Sequence, residues 1–345
     1  MTNKMIDSKT ILITGGTGSF GKAFVNKLIN SKFKPKKIII YSRDELKQSQ
    51  MQERYPEVKY PNIRFFIGDI REKERLKFAF SDVDIVIHAA ALKHVPVAEY
   101  NPFECIKTNI VGAQNVIDCA LETNVSKVIN LSTDKAAAPI NLYGATKLCA
   151  DKLFITANNI RGNKKISFSV VRYGNVFGSR GSVAPIFYSK RNSKYVEITH
   201  KEMTRFSITL EESVNAVLWS VKNCKGAEII VPKLPSYKIT TVANAICPNA
   251  EQKIIGIRPG EKIHEELITL ADGQNSVDFG KYFAILPAFG FNSINKNKNK
   301  IKFVKCKRNF NLISSINSKF LNKEDIQKLL ISEIKKKNNS FNDSI

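Results

Sequence analysis

The run Thr10-Ile11-Leu12-Ile13-Thr14 passes directly into Gly15-Gly16-Thr17-Gly18-Ser19-Phe20-Gly21, and Phe24, Val25, Leu28 and Ile29 then recur at helical spacing. A short apolar β-branched strand, a glycine-rich turn and an amphipathic helix in that order leave few folds open. Glycines at 15, 18 and 21 let the backbone turn tightly and approach a pyrophosphate. That group would sit on the helix N-terminus, where free N–H groups and the helix dipole favour an anion. Thr17, Ser19 and Phe20 complete the candidate phosphate-binding turn.

The runs that follow fit the same plan. Lys37 to Tyr41 reads as a second strand ending in Ser42, Arg43 and Asp44. An acidic residue at this place grips the ribose hydroxyls of NAD, whereas an arginine suits the 2′-phosphate of NADP. Ser42 and Arg43 come first and favour NADP; Asp44 keeps NAD open. Ile63 to Ile67 precedes Gly68, Asp69 and Ile70, and Asp84 to His88 precedes Ala89, Ala90 and, a little further, Lys93. Lys127 to Leu131 and Val171 to Tyr173 are the later strands, with helical segments such as Pro102 to Ala120 between them. Strands alternating with helices predict an α/β protein, a Rossmann-type doubly wound parallel sheet with ligands at the strands' carboxyl ends. Asp69, Ile70, Ala89, Ala90 and Lys93 are therefore candidate cofactor contacts.

Beyond the fifth strand stand Ser132-Thr133-Asp134-Lys135 and then Tyr143-Gly144-Ala145-Thr146-Lys147. Tyr143 and Lys147, four apart, share one face of a helix. A lysine cation beside a phenol favours the phenolate, so Tyr143 is expected to have a pKa lowered toward neutrality and to act as a base on a sugar hydroxyl. His88 and His94 have no second histidine or carboxylate at metal-ligand spacing and read as structural; no metal is expected.

Gly15-x-x-Gly18-x-x-Gly21 with Tyr143-x-x-x-Lys147 resembles the extended short-chain dehydrogenase/reductases of the nucleotide-sugar branch, over about residues 8 to 290. Further strings resemble the inverting UDP-N-acetylglucosamine 4,6-dehydratases of pseudaminic acid synthesis. They are Tyr41-Ser42-Arg43-Asp44-Glu45, Ala90-Ala91-Leu92-Lys93-His94-Val95-Pro96, Ser132-Thr133-Asp134-Lys135-Ala136, Arg172-Tyr173-Gly174-Asn175-Val176, Gly178-Ser179-Arg180-Gly181-Ser182 and Arg258-Pro259-Gly260-Glu261-Lys262. Retaining relatives carry Asp-Glu after the threonine, where this chain has Asp134-Lys135. Membrane-bound relatives often have Met in place of Tyr143, with transmembrane helices ahead of the domain; this chain resembles the short soluble form. Ala138 departs from the Asn common among relatives.

The resemblance implies a cycle in which C4 of UDP-N-acetylglucosamine is oxidised, water is lost across C5 and C6, C6 is reduced and C5 is inverted. Tyr143 is then the base at O4 and Lys147 the ribose ligand that assists it. Lys135 is the C5 base, Asp134 the acid at O6, and Thr133 the hydrogen-bonding partner of O4. Lys135 must be neutral to act, and crowding by Lys147 and a cationic nicotinamide, with partial burial, is expected to lower its pKa. Val176, Gly178 and Ser179 would line the nicotinamide. Lys93, Asn175, Arg205, Arg258 and Glu261 would bind the substrate, the two arginines as pyrophosphate clamps. NADP would be tightly bound and regenerated each turnover. A homo-oligomer, dimer to hexamer, is implied. The rival on the same scaffold is a retaining dehydratase or 4-epimerase. A non-enzymatic NADP-binding regulator predicts loss of the Tyr–Lys pair, yet both residues are present.

The formal net charge of +23 raises a nucleic-acid partner, which would show a steep salt dependence. The basic residues are spread along a chain also rich in Asn and Ile, which argues against it. The densest group, Asn295 to Arg308, reads as a solvated insertion. No run approaches about 20 apolar residues, and Met1 to Lys9 lacks an apolar signal region. The six cysteines form no CxxC pair, and Cys105, Cys119 and Cys149 fall on helical segments among apolar residues. They read as reduced core thiols of a cytoplasmic protein. The organisation expected is a cofactor domain over residues 8–174 and a substrate lobe mainly over 175–290, with segments interleaved. Residues 291–345 form a basic extension. In it, Asn322-Lys323-Glu324-Asp325 resembles a capping box before a short helix through Ile334, striped by Leu329, Leu330 and Ile334 and followed by a frayed tail. Glu211 to Lys222 is expected to be a helix packing back on the sheet.

Overall fold

The structure, a computed structural model, describes residues 5–179, 181–287 and 302–342. Six parallel strands carry the first half: β1 (Thr10–Thr14), β2 (Lys37–Ser42), β3 (Ile63–Ile67), β4 (Ile85–His88), β5 (Lys127–Thr133) and β6 (Ser167–Tyr173). They lie in the order β3-β2-β1-β4-β5-β6, followed by Ile229–Pro232, also parallel. Three antiparallel strands, Tyr282–Ile285, Ser276–Asp278 and Val304–Lys305, extend that edge to ten. Every residue of β1 and β6 is buried, as expected where helices cover both faces of a parallel sheet. Each fully buried Ile or Leu there contributes about 1.5–3 kcal/mol.

The strand order, not the strand direction, reverses between β1 and β4, which opens a crevice at their carboxyl ends. The expected helix Pro102 to Ala120 is broken into Pro102–Ile106, a π-turn over Lys107–Val111, and Gly112–Glu122. The helix Leu210–Asn223 does pack back on the sheet. It begins in a Thr209/Glu212 capping box, and the buried Lys127 amine closes its far end by donating to Val221 O at 2.8 Å and Cys224 O at 2.7 Å.

A second, smaller core gathers Phe177, Phe187, Val196, Ile198, Tyr237, Val242 and Ile246. The C-terminal helix closes it through Ile326, fully buried, with Leu329 and Leu330 beside it. The lobe therefore draws on the extension as well as on the residues before it. Asn322 and Asp325 cap each other reciprocally as the sequence suggests. The helix runs on to Asn342 instead of fraying after Ile334. Of the basic group at 295–308, residues 295–301 lie outside the described residues, and Val304–Lys305 is an edge strand of the main sheet rather than part of a solvated insertion. Cys105 and Cys119 are buried, but Cys149 is exposed, because it falls on the outer face of its helix. Among the described residues no helix is long and apolar enough to cross a membrane.

Candidate active site

The glycine turn lies across the switch point. Gly15 has φ 66°, and a Cβ there would come within 2.9 Å of the Ala90 backbone, so the turn rests directly on the residues after β4. At Gly21 a Cβ would stand 2.3 Å from Gly16 O, so only glycine lets the helix Ser19–Ile29 approach its own turn. Gly18 caps that helix without a side-chain hydrogen bond, and no acidic residue occupies the first turn. An uncapped, acid-free helix start beside a tight backbone turn fits a pyrophosphate.

The ends of β2 and β3 complete this half. Ser42 Oγ is 2.8 Å from Thr17 Oγ1. Arg43, half exposed, reaches Asp69 at 3.3 Å, and Asp69 is also held by Arg71 at 2.7 Å. These guanidiniums keep the Asp69 carboxyl below its usual range even though burial opposes them. Asp44 caps the helix Glu45–Arg54 by accepting from Lys47 N at 3.0 Å, and its carboxylate also pairs with the Lys47 amine. Ile70 is buried, while Ala89 and Ala90 are half-buried at the end of β4. His88 is buried against Thr14 Oγ1 at 2.8 Å. Burial first, and then the Lys147 charge, pull its pKa down to about 3, so it is a neutral core histidine. His94 is exposed. No metal-binding group of His, Cys, Asp or Glu occurs among the described residues.

β5 ends in Thr133, and the chain then makes a single 3-10 turn, Asp134–Ala136, before the helix Leu142–Ile160 starts on an Asn141 cap. Gly144 fixes how closely turn and helix meet: a Cβ there would lie 2.2 Å from Lys135 O. That contact gathers Thr133, Asp134, Lys135 and Tyr143, while Lys147, further along the helix, faces Asp151 and His88. Thr133 Oγ1 donates to Asp134 Oδ1 at 2.9 Å. Lys135 Nζ lies 3.1 Å from Asp134 Oδ1 and 3.1 Å from Glu265 Oε1.

Two electrostatic expectations are corrected here. Burial pushes the Tyr143 phenol up, to about 12, with the Lys135 ammonium and the Thr133 hydroxyl pulling against it. Lys147 is not among the main influences on it. Lys147 is itself buried, which lowers its own pKa, and the charge it answers is Asp151. Lys135 is not held neutral either. Burial acts to lower its pKa, but the Asp134 and Glu265 carboxylates outweigh that and leave it raised.

Beneath the cluster is a buried network absent from the sequence expectations. Asp151 accepts from Ser132 Oγ at 2.7 Å and Asn130 Nδ2 at 3.3 Å, and pairs with Arg172 at 3.3 Å; Arg172 also reaches Asp272 at 3.2 Å. Asn109, buried on the π-turn, clamps Leu92 through N and O at 2.8 and 2.9 Å and donates to Thr146 Oγ1 at 3.0 Å. It ties the loop after β4 to the Tyr143 helix; π-turns often mark such sites. A lone Asn or Glu carries no local pattern, so only the fold exposes Asn109 and Glu265.

The substrate candidates divide. Lys93 is exposed just past β4. Asn175 is half-buried, and its Oδ1 accepts no hydrogen bond among the described residues. Val176 follows it, with Ser179 Oγ donating to Val176 O at 2.8 Å. Gly178 has φ 73° and faces Glu333 of the C-terminal helix. Arg258 is largely exposed and pairs with Glu261 at 2.8 Å. Arg205, expected as a clamp, is buried instead. Its guanidinium donates to Thr204 O, Ile263 O and Lys262 O at 2.8–3.1 Å, which makes it a brace for the 258–263 loop. Arg180 lies outside the described residues.

The same loop docks beside the Asp134–Ala136 turn: Lys262 Nζ donates to Ala137 O at 2.7 Å and Asn141 Nδ2 to Gly260 O at 2.7 Å. Between those contacts Ala138 has φ 45°, a left-handed conformation that asparagine tolerates better than alanine. Ala138→Asn should therefore stabilise the protein by about 1 kcal/mol or less, read as a higher denaturation midpoint. An unchanged or lower midpoint would show that the turn carries no such strain.

A glycine turn at the switch point, a Thr-Asp-Lys turn and a Tyr-x-x-x-Lys helix define an extended short-chain dehydrogenase/reductase of the nucleotide-sugar type. Residues 11–287 match the family described as "Polysaccharide biosynthesis protein". A Campylobacter jejuni subsp. jejuni (serotype O:23/36, strain 81-176) protein named UDP-N-acetylglucosamine 4,6-dehydratase (inverting) is 55% identical over 309 residues, 86% of this chain and 91% of that one. The X-ray structure of Pen from Bacillus thuringiensis superposes with a TM-score of 0.86 at 34% identity, covering 95% of this chain and 99% of that one. A Rickettsia canadensis (strain McKiel) protein named UDP-glucose 4-epimerase is 39% identical over 339 residues, 95% of this chain and 97% of that one. The chain belongs to the polysaccharide biosynthesis protein family and, within it, to the inverting UDP-N-acetylglucosamine 4,6-dehydratases.

Proposed function

We propose that this chain converts UDP-N-acetylglucosamine to UDP-2-acetamido-2,6-dideoxy-β-L-arabino-hex-4-ulose, the first step of a pseudaminic acid-type pathway. The observation that carries this is Lys135 in the turn after β5, set beside Asp134 and opposite the Tyr143 helix. It puts an amine, not a second carboxylate, where a C5 proton is to be handled.

A nicotinamide dinucleotide supplies hydride removal at C4 and hydride return at C6. Arg43 beside Asp69, with Asp44 engaged as a helix cap, favours the phosphorylated form, NADP, over NAD. The Gly15–Gly21 turn would hold its pyrophosphate and Lys147 its ribose. Tyr143 takes the O4 proton while Thr133 fixes O4. The new ketone acidifies C5, and Lys135 takes the C5 proton. Asp134, fully buried, gives a proton to O6 so that it leaves as water. Return of a proton to C5 on the opposite face completes inversion. Lys93, Asn175, Arg258 and Glu261 border the space where the UDP-sugar would lie. We further propose a cytoplasmic homo-oligomer of two to six chains. Tyr100 and Phe103, 87% and 63% exposed on neighbouring helices, support self-association.

The epimerase name of a 39% identical relative keeps 4-epimerisation as the rival. NMR of the purified protein with UDP-N-acetylglucosamine in D2O, without added cofactor, separates them. A 4-keto-6-deoxy product with deuterium at C5 and L-arabino configuration is expected. A D-xylo product points to a retaining dehydratase. A C4 epimer with its 6-hydroxyl intact points to the epimerase.

A further inference from the structure

Glu265 is the charged group at this site that no sequence motif marks. Its side chain is 2% exposed, and its Oε1 stands 3.1 Å from Lys135 Nζ and 3.8 Å from Arg205 Nε. Its Oε2 accepts no hydrogen bond among the described residues. The backbone is clamped on both sides by the buried Ser314: Glu265 N donates to Ser314 Oγ at 2.9 Å, and Ser314 N donates to Glu265 O at 2.8 Å. A carboxylate brought from 130 positions away and held rigidly against the amine of a candidate base is a costly arrangement unless its charge is used.

We propose that Glu265 is a positioning residue that takes the ammonium proton of Lys135 and so frees the amine to act at C5. This rests on the reading of Lys135 as the C5 base. In the transfer a Lys135 N–H bond breaks and a Glu265 O–H bond forms, and the pair stays neutral overall. The amine then takes the C5 proton. The pair now carries one surplus proton, which passes through Asp134, 3.1 Å from the amine, to O6 and leaves with it as water. The groups facing Lys135 are the Asp134 and Glu265 carboxylates, the Arg205 guanidinium and the Tyr143 and Tyr237 phenols. Of the two carboxylates, Asp134 Oδ1 already accepts from the Thr133 hydroxyl as well as from Lys135, whereas Glu265 Oε2 accepts no hydrogen bond among the described residues. Burial raises the Glu265 carboxyl, with the Lys135 charge opposing, which suits it to hold a proton.

Glu265→Gln keeps size and hydrogen bonding but cannot take the proton. C5 exchange with D2O should fall about 10²-fold at neutral pH. Without the internal acceptor the proton must go to solvent. The ratio of variant to wild-type exchange should then climb about tenfold per pH unit from about pH 6 to about pH 9. Comparing variant with wild type cancels the contribution of Tyr143. Glu265→Asp should recover part of the loss. A ratio constant with pH, whatever its size, would mean a structural role and overturn the proposal, as would a ratio near one throughout.

Labelling of Lys135 with acetic anhydride, followed by peptide mass spectrometry, tests the same couple in folded protein without substrate. The lysine should acylate more slowly at neutral pH in Glu265→Gln than in the wild type and catch up as pH rises; identical labelling curves would overturn the coupling. Should the wild type leave UDP-N-acetylglucosamine untouched, the proposed function fails while the labelling comparison still decides the Lys135–Glu265 couple. Should Lys135→Ala retain C5 exchange, the base reading fails, whatever the Glu265 variants do.

Discussion

Lys135→Ala should leave a folded protein that still binds its dinucleotide yet forms dehydrated product about 10²–10⁴-fold more slowly. Loss of C5 deuterium incorporation should accompany the loss of product, because both need the C5 proton removed. The substitution also has a structural consequence. Asp134 is fully buried and Glu265 nearly so, and the ammonium between them is their shared counter-charge. Removing one member of a buried ion pair costs about 3–5 kcal/mol. The pH sense of that loss follows from the carboxyl left behind. Burial already raises the Glu265 pKa, and the lysine charge that opposes this is gone in the variant. A group whose folded-state pKa is raised contributes stability below its unfolded pKa and loses it as pH rises through the folded pKa. The melting point of Lys135→Ala should thus lie nearest that of the wild type in mild acid and fall away as pH rises. Near-normal turnover in the folded variant would remove Lys135 from the role of base, and a pH-independent melting deficit would show that the two carboxylates are not its cause.

The cofactor half of the fold is legible because its chemistry is local. Strand, glycine turn and helix occupy one short window, and the contacts at Gly15 and Gly21 are backbone contacts that only glycine permits. The Thr133–Lys135 and Tyr143–Lys147 groups are legible for the same reason. What escapes the sequence is set by distance along the chain. Glu265 and Arg205 enter from separate segments. Arg205 looks like a phosphate clamp until the carbonyls of residues 262 and 263 are seen to occupy its donors. The electrostatic expectations fail for a related reason. Tyr143 and Lys147 are close in sequence, but burial, the Lys135 charge and the carboxylates at 134 and 151 set their charge states. Periodicity finds the C-terminal helix but not its role. Ile326 is the residue that closes the second core, and Glu333 reaches Gly178 beside the proposed nicotinamide site.

Tyr143→Phe should block the reaction one step earlier than Lys135→Ala. The ring stays, so packing against the turn is kept, and only the hydroxyl that meets Thr133 is lost. Product formation should fall about 10²–10⁴-fold, and C5 exchange should vanish with it, because C5 becomes acidic only after C4 is a ketone. Transient reduction of the bound dinucleotide should disappear too, whereas in Lys135→Ala it should persist. The wild-type pH profile carries the same signature. Burial drives the Tyr143 phenol up to about 12, and in the proposed cycle the phenolate is the form that would accept the O4 proton. With the reactive form on the high-pH side, turnover should rise with pH through the neutral range, and the residual activity of Tyr143→Phe should lack that rise. A Phe variant that still reduces its dinucleotide on mixing with substrate would take the phenolate out of the first step and leave Thr133 or Lys135 to remove the O4 proton.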